Sequence, residues 1–191
     1  FCLERPRPCL ERPRPCLVYP LMAGGNLEDR LIDTPEGRQR LSRRGPLPPP
    51  LSWQARVRAA RDSMRALVYL HTPGGGKEVM LHRDIKPANI LLDGEGNAKL
   101  ADVGLVRVAP ELQQGRTHLS TQNLVGTPGF IDPLYTRMRA YSQLTDGYAM
   151  GITLLTCLAP QPAGHIFDAC ANALEEPSLA PTVAQPSAGW P

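Results

Sequence analysis

The stretch His82-Arg83-Asp84-Ile85-Lys86-Pro87-Ala88-Asn89 decides how the rest of the chain is read. It has the form H-R-D-x-x-x-x-N and gathers a carboxylate, a lysine and an amide into one short segment. The apolar run Ile90-Leu91-Leu92 follows and reads as a strand, and Asp93-Gly94-Glu95-Gly96 reads as the turn behind it. Lys99-Leu100-Ala101 then returns the chain to a second carboxylate in Asp102-Val103-Gly104. Farther on stands Gly126-Thr127-Pro128-Gly129. Polar residues that merely share a surface loop have no reason to arrive in this order. Lys86, Asn89, Asp102 and Gly104 are therefore read with Asp84 as parts of one site.

Upstream, Ser52 is a good N-cap, and Trp53, Val57, Ala60, Met64, Leu67 and His71 follow spacings of three and four. That pattern predicts a long helix with one apolar stripe facing the core. Thr72-Pro73-Gly74-Gly75-Gly76 ends it. Gly74-Gly75-Gly76-Lys77 lacks the full G-x-x-x-x-G-K-[ST] spacing of a phosphate loop and reads as a plain turn. Closer to the start, Leu17-Val18-Tyr19 reads as a short buried strand, Ala23 to Asn26 as a turn and Leu27 to Ile32 as a short helix. Asp33 to Pro50 is basic and proline-rich, with Arg38, Arg40, Arg43 and Arg44, and reads as a surface loop. Residues 1–15 hold two copies of Cys-Leu-Glu-Arg-Pro-Arg-Pro, an extended low-complexity Pro/Arg repeat too short to build a repeat fold.

The 191 residues fit one domain or a large part of one, with 42% hydrophobic residues to form a core. High proline (21) and glycine (17) point to loop-rich ends. A net charge of +3 is far from the concentrated charge of a nucleic-acid binder, and no stretch of eighteen apolar residues spans a membrane. The five cysteines have no zinc spacing, and their odd number argues against a disulfide framework, so they are expected to be thiols in a reducing cytoplasm.

In these residues the chain resembles the eukaryotic protein kinases, whose catalytic loop and metal-binding loop carry the two carboxylates in this order. Within that family it resembles the interleukin-receptor-associated and Pelle kinases and the plant receptor-like kinases, and most of all the plant cytoplasmic kinases that often carry a U-box. Leu17-Val18-Tyr19-Pro20-Leu21-Met22 through Asn26-Leu27-Glu28-Asp29-Arg30-Leu31 resembles their hinge and the helix after it. Val103 in place of phenylalanine is common in the U-box group. Ile131-Asp132-Pro133-Leu134-Tyr135 resembles their I-D-P-E-Y, Leu144 to Gly151 the start of the central helix, and Ser187 to Pro191 a motif late in the domain.

The resemblance implies an α+β protein kinase-like fold, represented by a mostly helical C-terminal lobe with small β-hairpins. Residues 16–191 would be a partial domain, hinge and C-lobe, truncated before the last helices, with the N-terminal lobe missing. The implied activity is ATP-dependent phosphoryl transfer to Ser/Thr of protein substrates, with ATP and Mg2+ as cofactors. Asp84 would accept or orient the substrate proton, Lys86 would neutralise the transferring group, and Asn89 and Asp102 would hold the metal. Pro20, through its carbonyl, and Met22, through its amide, would bind adenine, with Tyr19 at the back of that pocket; Lys86, Asn89 and Asp102 would face the phosphates. Thr127 resembles the residue that shapes the acceptor pocket, and Asp146 the one that braces the catalytic loop from below. Arg83 would read a phosphate on the segment from Leu105 to Leu124, where Thr117, Ser120 and Thr121 are candidate phosphosites.

Two departures stand out. No Gly-rich loop and no Val-Ala-x-Lys strand precede Cys16, so the chain alone is expected to be inactive. Leu134 stands where the relatives place a glutamate. The alternative is a truncated pseudokinase serving as a non-catalytic protein-interaction module. A basic nucleic-acid binder is disfavoured, because the arginines lie in Pro-rich loops without interleaved aromatics. The expected partners are ATP and a protein substrate, with no nucleic acid and no membrane span in this chain. The expected location is cytoplasmic, any membrane association being left to regions outside the chain.

Overall fold

A computed structural model describes residues 16, 18–176, 178 and 183–189. The N-terminal repeat, Leu17, Trp190 and Pro191 lie outside them. The architecture starts at β1 (Gly25–Asn26), where Asn26 pairs with Leu91 and also caps α1 (Leu27–Leu31). Asn26 Oδ1 accepts the Asp29 N–H at 2.8 Å, one of the donors a helix start leaves without an internal partner. Val18 and Tyr19 correct the expected buried strand. They are 92% and 65% exposed, and among the described residues no strand lies beside them. A two-sided apolar strand needs a neighbour to pair with and to bury it.

The expected loop after α1 is in part a helix, α2 (Pro35–Ser42). Thr34 Oγ1 accepts the Gly37 N–H at 3.0 Å, Pro35 sits in the first turn, and Leu41 is buried. Basic composition masked these helix-start signals. Arg40 of α2 closes a two-pronged pair on the buried Asp29, with Nε to Oδ2 at 2.9 Å.

Ser52 caps α3 (Trp53–His71), and Thr72 ends it. The buried face is Arg56, Ala59, Ser63 and Leu67; the first three each stand one residue before the expected Val57, Ala60 and Met64, while Leu67 is buried as expected. Val57 and Met64 are about half exposed. Small residues on the buried face let β4 and α5 approach, and the polar groups there find partners. Ser63 Oγ donates to the Ala59 carbonyl at 2.8 Å. Arg56 donates to the carbonyls of Leu51 at 3.1 Å and Cys157 at 2.9 Å and to the Gln185 side chain.

β3 (Ile90–Leu92) is the middle of a three-stranded antiparallel sheet between β1 and β4 (Ala98–Leu100). Leu27, Leu31, Ile90, Leu92 and Ala98 bury one core beneath it. β2 (Met80–Leu81) pairs with β5 (Arg107–Val108), and β6 (Leu119–Ser120) pairs with β7 (Ala140–Tyr141). Between β6 and β7 comes α4 (Pro133–Met138), capped by Asp132, whose side chain accepts the Leu134 N–H at 2.8 Å.

α5 (Gln143–Leu158) starts in a reciprocal capping box between Ser142 and Thr145. Its buried face, including Ala149, Met150 and Ile152, packs with Leu67, Ile85 and Ile166 of α6 (Ala163–Glu175) into a second core. Burial pushes the Cys157 thiol up to about 11, so at neutral pH it is an inert apolar side chain. No helix among the described residues is long and apolar enough to cross a membrane. The helical lobe with small antiparallel sheets agrees with the expected fold class.

Candidate catalytic site

The segment that joins β2 to β3 is fixed from both sides. His82 is buried and its Nε2 lies 3.0 Å from the Ala101 carbonyl oxygen. From beneath, Asp146 of α5 accepts the N–H of His82 on Oδ2 and the N–H of Arg83 on Oδ1, both at 2.8 Å. His71 Nε2, at the end of α3, also lies 2.8 Å from Asp146 Oδ2. Arg83 has φ of +70°, a strained conformation for a residue with a Cβ, and these bonds hold it there.

Asp84 follows directly and is 8% exposed. Thr127 Oγ1 donates to its Oδ1 at 2.6 Å, and Lys86 Nζ donates to its Oδ2 at 2.8 Å. Lys86 Nζ is also 2.6 Å from Thr127 Oγ1, which closes a triangle. Asn89, in the 3-10 turn Pro87–Asn89, donates from Nδ2 to the Asp84 carbonyl oxygen at 2.8 Å and to Oδ2 at 3.0 Å. Burial pushes the Asp84 carboxyl up. The hydrogen bonds from Lys86 and Thr127, the Lys86 charge and the Asn89 amide outweigh it, so the group sits below its ordinary range. The site therefore holds an ionised carboxylate in a protected place.

The β3–β4 hairpin brings the second carboxylate back. Ala101 N–H donates to the Asn89 carbonyl at 2.8 Å, and Asp102 comes next, exposed, with φ of +61°. Its Oδ1 accepts the Gly104 N–H at 3.3 Å. Asn89 directs its amide donors at Asp84, so its side-chain oxygen is the end that could face a cation. Asp102 supplies a second hard oxygen donor at the end of the hairpin. That suits Mg2+, which takes few protein ligands and completes its shell from phosphates and water. Among the described residues no cluster of His, Cys, Asp and Glu forms an all-protein metal cage.

The structure thus brings together Arg83, Asp84, Lys86, Asn89, Thr127 and Asp146. The hinge positions stand apart. Pro20 is exposed, and Tyr19 is not at the back of a pocket as expected. The Met22 carbonyl accepts from Gly25 N–H at 3.2 Å and Arg44 Nη1 at 2.9 Å. The expected phosphosites also lie outside the cluster. Thr117 and Ser120 are exposed, with Thr117 Oγ1 3.0 Å from His118 Nδ1, and Thr121 donates to the Asn123 carbonyl at 3.0 Å. Sequence reasoning missed His71, taken there as a member of an apolar stripe, and Tyr141, whose ring meets the Arg83 guanidinium.

Comparison with known proteins identifies the family. The family described as Protein kinase domain matches residues 9–171. A probable LRR receptor-like serine/threonine-protein kinase of Arabidopsis thaliana is 40% identical over 145 residues, 76% of this chain and 14% of that protein. The receptor-like protein kinase THESEUS 1 of the same plant is 39% identical over 146 residues, 76% of this chain and 15% of that protein. The LRR receptor-like serine/threonine-protein kinase IOS1 is 39% identical over 145 residues, 76% of this chain and 14% of that protein. The chain spans about one seventh of the length of these relatives.

Proposed function

Because the chain belongs to the protein kinase family, we propose that it carries the catalytic part of an ATP-dependent phosphoryl transfer to Ser/Thr hydroxyls of protein substrates. The observation that carries this reading is the Asp84 carboxylate, kept ionised and aimed by Lys86, Thr127 and Asn89. An ionised, positioned carboxylate can take or orient the proton of an attacking hydroxyl. Lys86 places a cation within hydrogen-bond reach of the same point, where negative charge develops. Thr127 joins that cation to the carboxylate and so borders the acceptor pocket. Asn89 and Asp102 would hold Mg2+, which when bound would neutralise the phosphates of ATP. The Pro20 carbonyl and the Met22 amide would face the adenine.

The same reading extends to regulation and to relatives. Thr117, Ser120 and Thr121 are proposed phosphosites on the segment that follows Asp102, with Arg83 as their reader. The likeness to U-box cytoplasmic kinases, carried by Val103, is part of the proposal, as is a cytoplasmic location. So is the extent of the kinase portion, residues 16–191.

A second reading, a non-catalytic interaction module, is favoured by apolar residues in solvent: Val18, Leu21 and Leu134, the last 62% exposed. One experiment separates the two. The chain is joined behind the N-terminal lobe of a receptor-like kinase relative, and γ-phosphate transfer from Mg-ATP to a Ser/Thr protein substrate is measured. Transfer that disappears with Asp84→Asn, and that needs both Asn89 and Asp102, is the expected result. A folded chimera that neither binds Mg-ATP nor transfers phosphate overturns the enzyme reading in favour of the interaction module.

A further inference from the structure

Arg83 carries more than its backbone strain. Its guanidinium carbon lies 4.7 Å from the ring centroid of Tyr141, which is 1% exposed. Its Nε is buried and has no hydrogen-bond acceptor among the described residues. Arg83 itself is only partly buried, and the face its guanidinium meets is the electron-rich ring of Tyr141.

The ring is itself well anchored. Tyr141 pairs with Leu119 across the β6–β7 ladder. It packs edge-on against Tyr135, with centroids 5.8 Å apart and planes at 67°. The Tyr135 hydroxyl accepts the Val125 N–H at 3.1 Å and donates to the Asn123 carbonyl at 3.4 Å. A second guanidinium, that of Arg107 on β5, lies 5.8 Å from the same ring and is paired loosely with Glu111 at 3.9 Å. The Tyr141 hydroxyl has no partner among the described residues. A cavity of about 20 Å³, lined by residues including Arg83, Asp84, Thr127, Tyr141 and Asp146, lies alongside and has room for one water.

We propose that Tyr141 is a positioning residue for the catalytic loop. Its ring face seats the Arg83 guanidinium and so sets the strained backbone that presents Asp84. The same ring ties that loop to β5 and to the segment ending at Val125. The catalytic meaning of this seat rests on the reading of Asp84 given above, but the seat is tested without any activity.

The experiment uses the 191-residue chain with labelled arginine, following the side-chain NMR signals of Arg83 and the hydrogen exchange of the Arg83 and Leu119 amides. In the unaltered chain, the Arg83 δ-methylene signals are expected to be shifted upfield by the ring current. Tyr141→Phe should keep that shift and the amide protection. Tyr141→Leu should abolish the shift and lower protection at both amides roughly tenfold, the scale of one desolvated cation–π contact. Equal losses in both variants would assign the effect to the hydroxyl and its cavity and overturn the proposal. So would a Tyr141→Leu chain that retains the protection. If Tyr141→Leu does not fold, the unaltered chain decides: Arg83 signals without the upfield shift overturn the proposal. Failure here leaves the phosphoryl-transfer reading intact, and failure of phosphoryl transfer leaves the NMR result intact.

Discussion

The hydroxyl of Thr127 donates to Asp84 Oδ1 at 2.6 Å across 43 residues of sequence. It is also 2.6 Å from Lys86 Nζ, so the glycine-flanked loop at 126–129 is tied to the catalytic loop through one small side chain. Thr127→Ala removes one of the bonds that hold the Asp84 carboxyl below its ordinary range. Burial then counts for more, and the carboxyl pKa should rise. The expected loss of stability is about 1 kcal/mol, the net value of a typical hydrogen bond. Thr127→Ser should restore both. A carbon-13 NMR titration of the Asp84 carboxyl reads the shift, and an unchanged midpoint in Thr127→Ala would show that Lys86 and Asn89 suffice.

Asp146 is the second support. Its oxygens take the N–H groups of His82 and Arg83, and the latter sits at a φ that an L-residue rarely adopts. Asp146→Ala orphans two donors next to the strained residue. Leaving a buried donor unsatisfied costs about 1–3 kcal/mol each, so a loss of about 3 kcal/mol or more is expected in urea unfolding. Asp146→Asn keeps one acceptor oxygen and should lose roughly half as much. Equal losses in the two variants would mean that the carboxylate charge, and not its acceptor geometry, does the bracing.

The parts legible in the sequence are those whose chemistry is local. The order Asp84, Lys86, Asn89, strand, turn, strand, Asp102 foretold the hairpin, because a turn such as Asp93 to Gly96 folds by its own bonds: Asp93 Oδ1 accepts the N–H groups of Glu95 and Asn97, both at 2.9 Å. Local rules failed where a distant partner decides. The buried face of α3 contains Arg56 and Ser63, which a hydrophobicity pattern counts as outward, yet carbonyls of Leu51, Cys157 and Ala59 satisfy them. The apolar Val18 and Tyr19 read as core but have no strand beside them. Tyr141 gave no signal at all, since Arg83 and Tyr135 reach it only through the folded chain.

Arg40 and Asp29 give a pH-dependent prediction. The hydrogen bond from Arg40 is the foremost reason that the Asp29 carboxyl lies below its ordinary range; burial opposes it, and the Arg40 charge and Asn26 assist. A carboxyl whose folded pKa is depressed stabilises the fold above its unfolded value, about 3.9, and loses that contribution as pH falls through the folded value. The Arg40 side chain is half exposed, so solvent screens the pair. Arg40→Ala should cost about 0.5–1 kcal/mol near neutral pH, and the difference from the parent should shrink as acidification below about pH 4 protonates Asp29. Urea unfolding from neutral pH down to about pH 2 measures it. A difference that persists undiminished at the acid end would assign the Arg40 contribution to packing of its stem.

Arg56 is held by two backbone carbonyls and a side-chain amide, with no carboxylate among these hydrogen-bond partners. It is 1% exposed, and burial pulls its guanidinium below the usual arginine range, offset slightly by Cys157. Its donors hold the Leu51 carbonyl at the start of α3 and the Cys157 carbonyl near the end of α5, 101 residues apart in the latter case. Arg56→Met fits the space of the stem but leaves those carbonyls buried without a donor, at about 1–3 kcal/mol apiece. The expected loss is about 3 kcal/mol, read as a lower urea midpoint with an unchanged slope. Arg56→Lys should recover less than half, since a single ammonium cannot span the fork geometry that reaches Leu51, Cys157 and Gln185 together. If Arg56→Met costs under about 1 kcal/mol, the carbonyls have found water, and the joint between α3 and α5 rests on its apolar contacts alone.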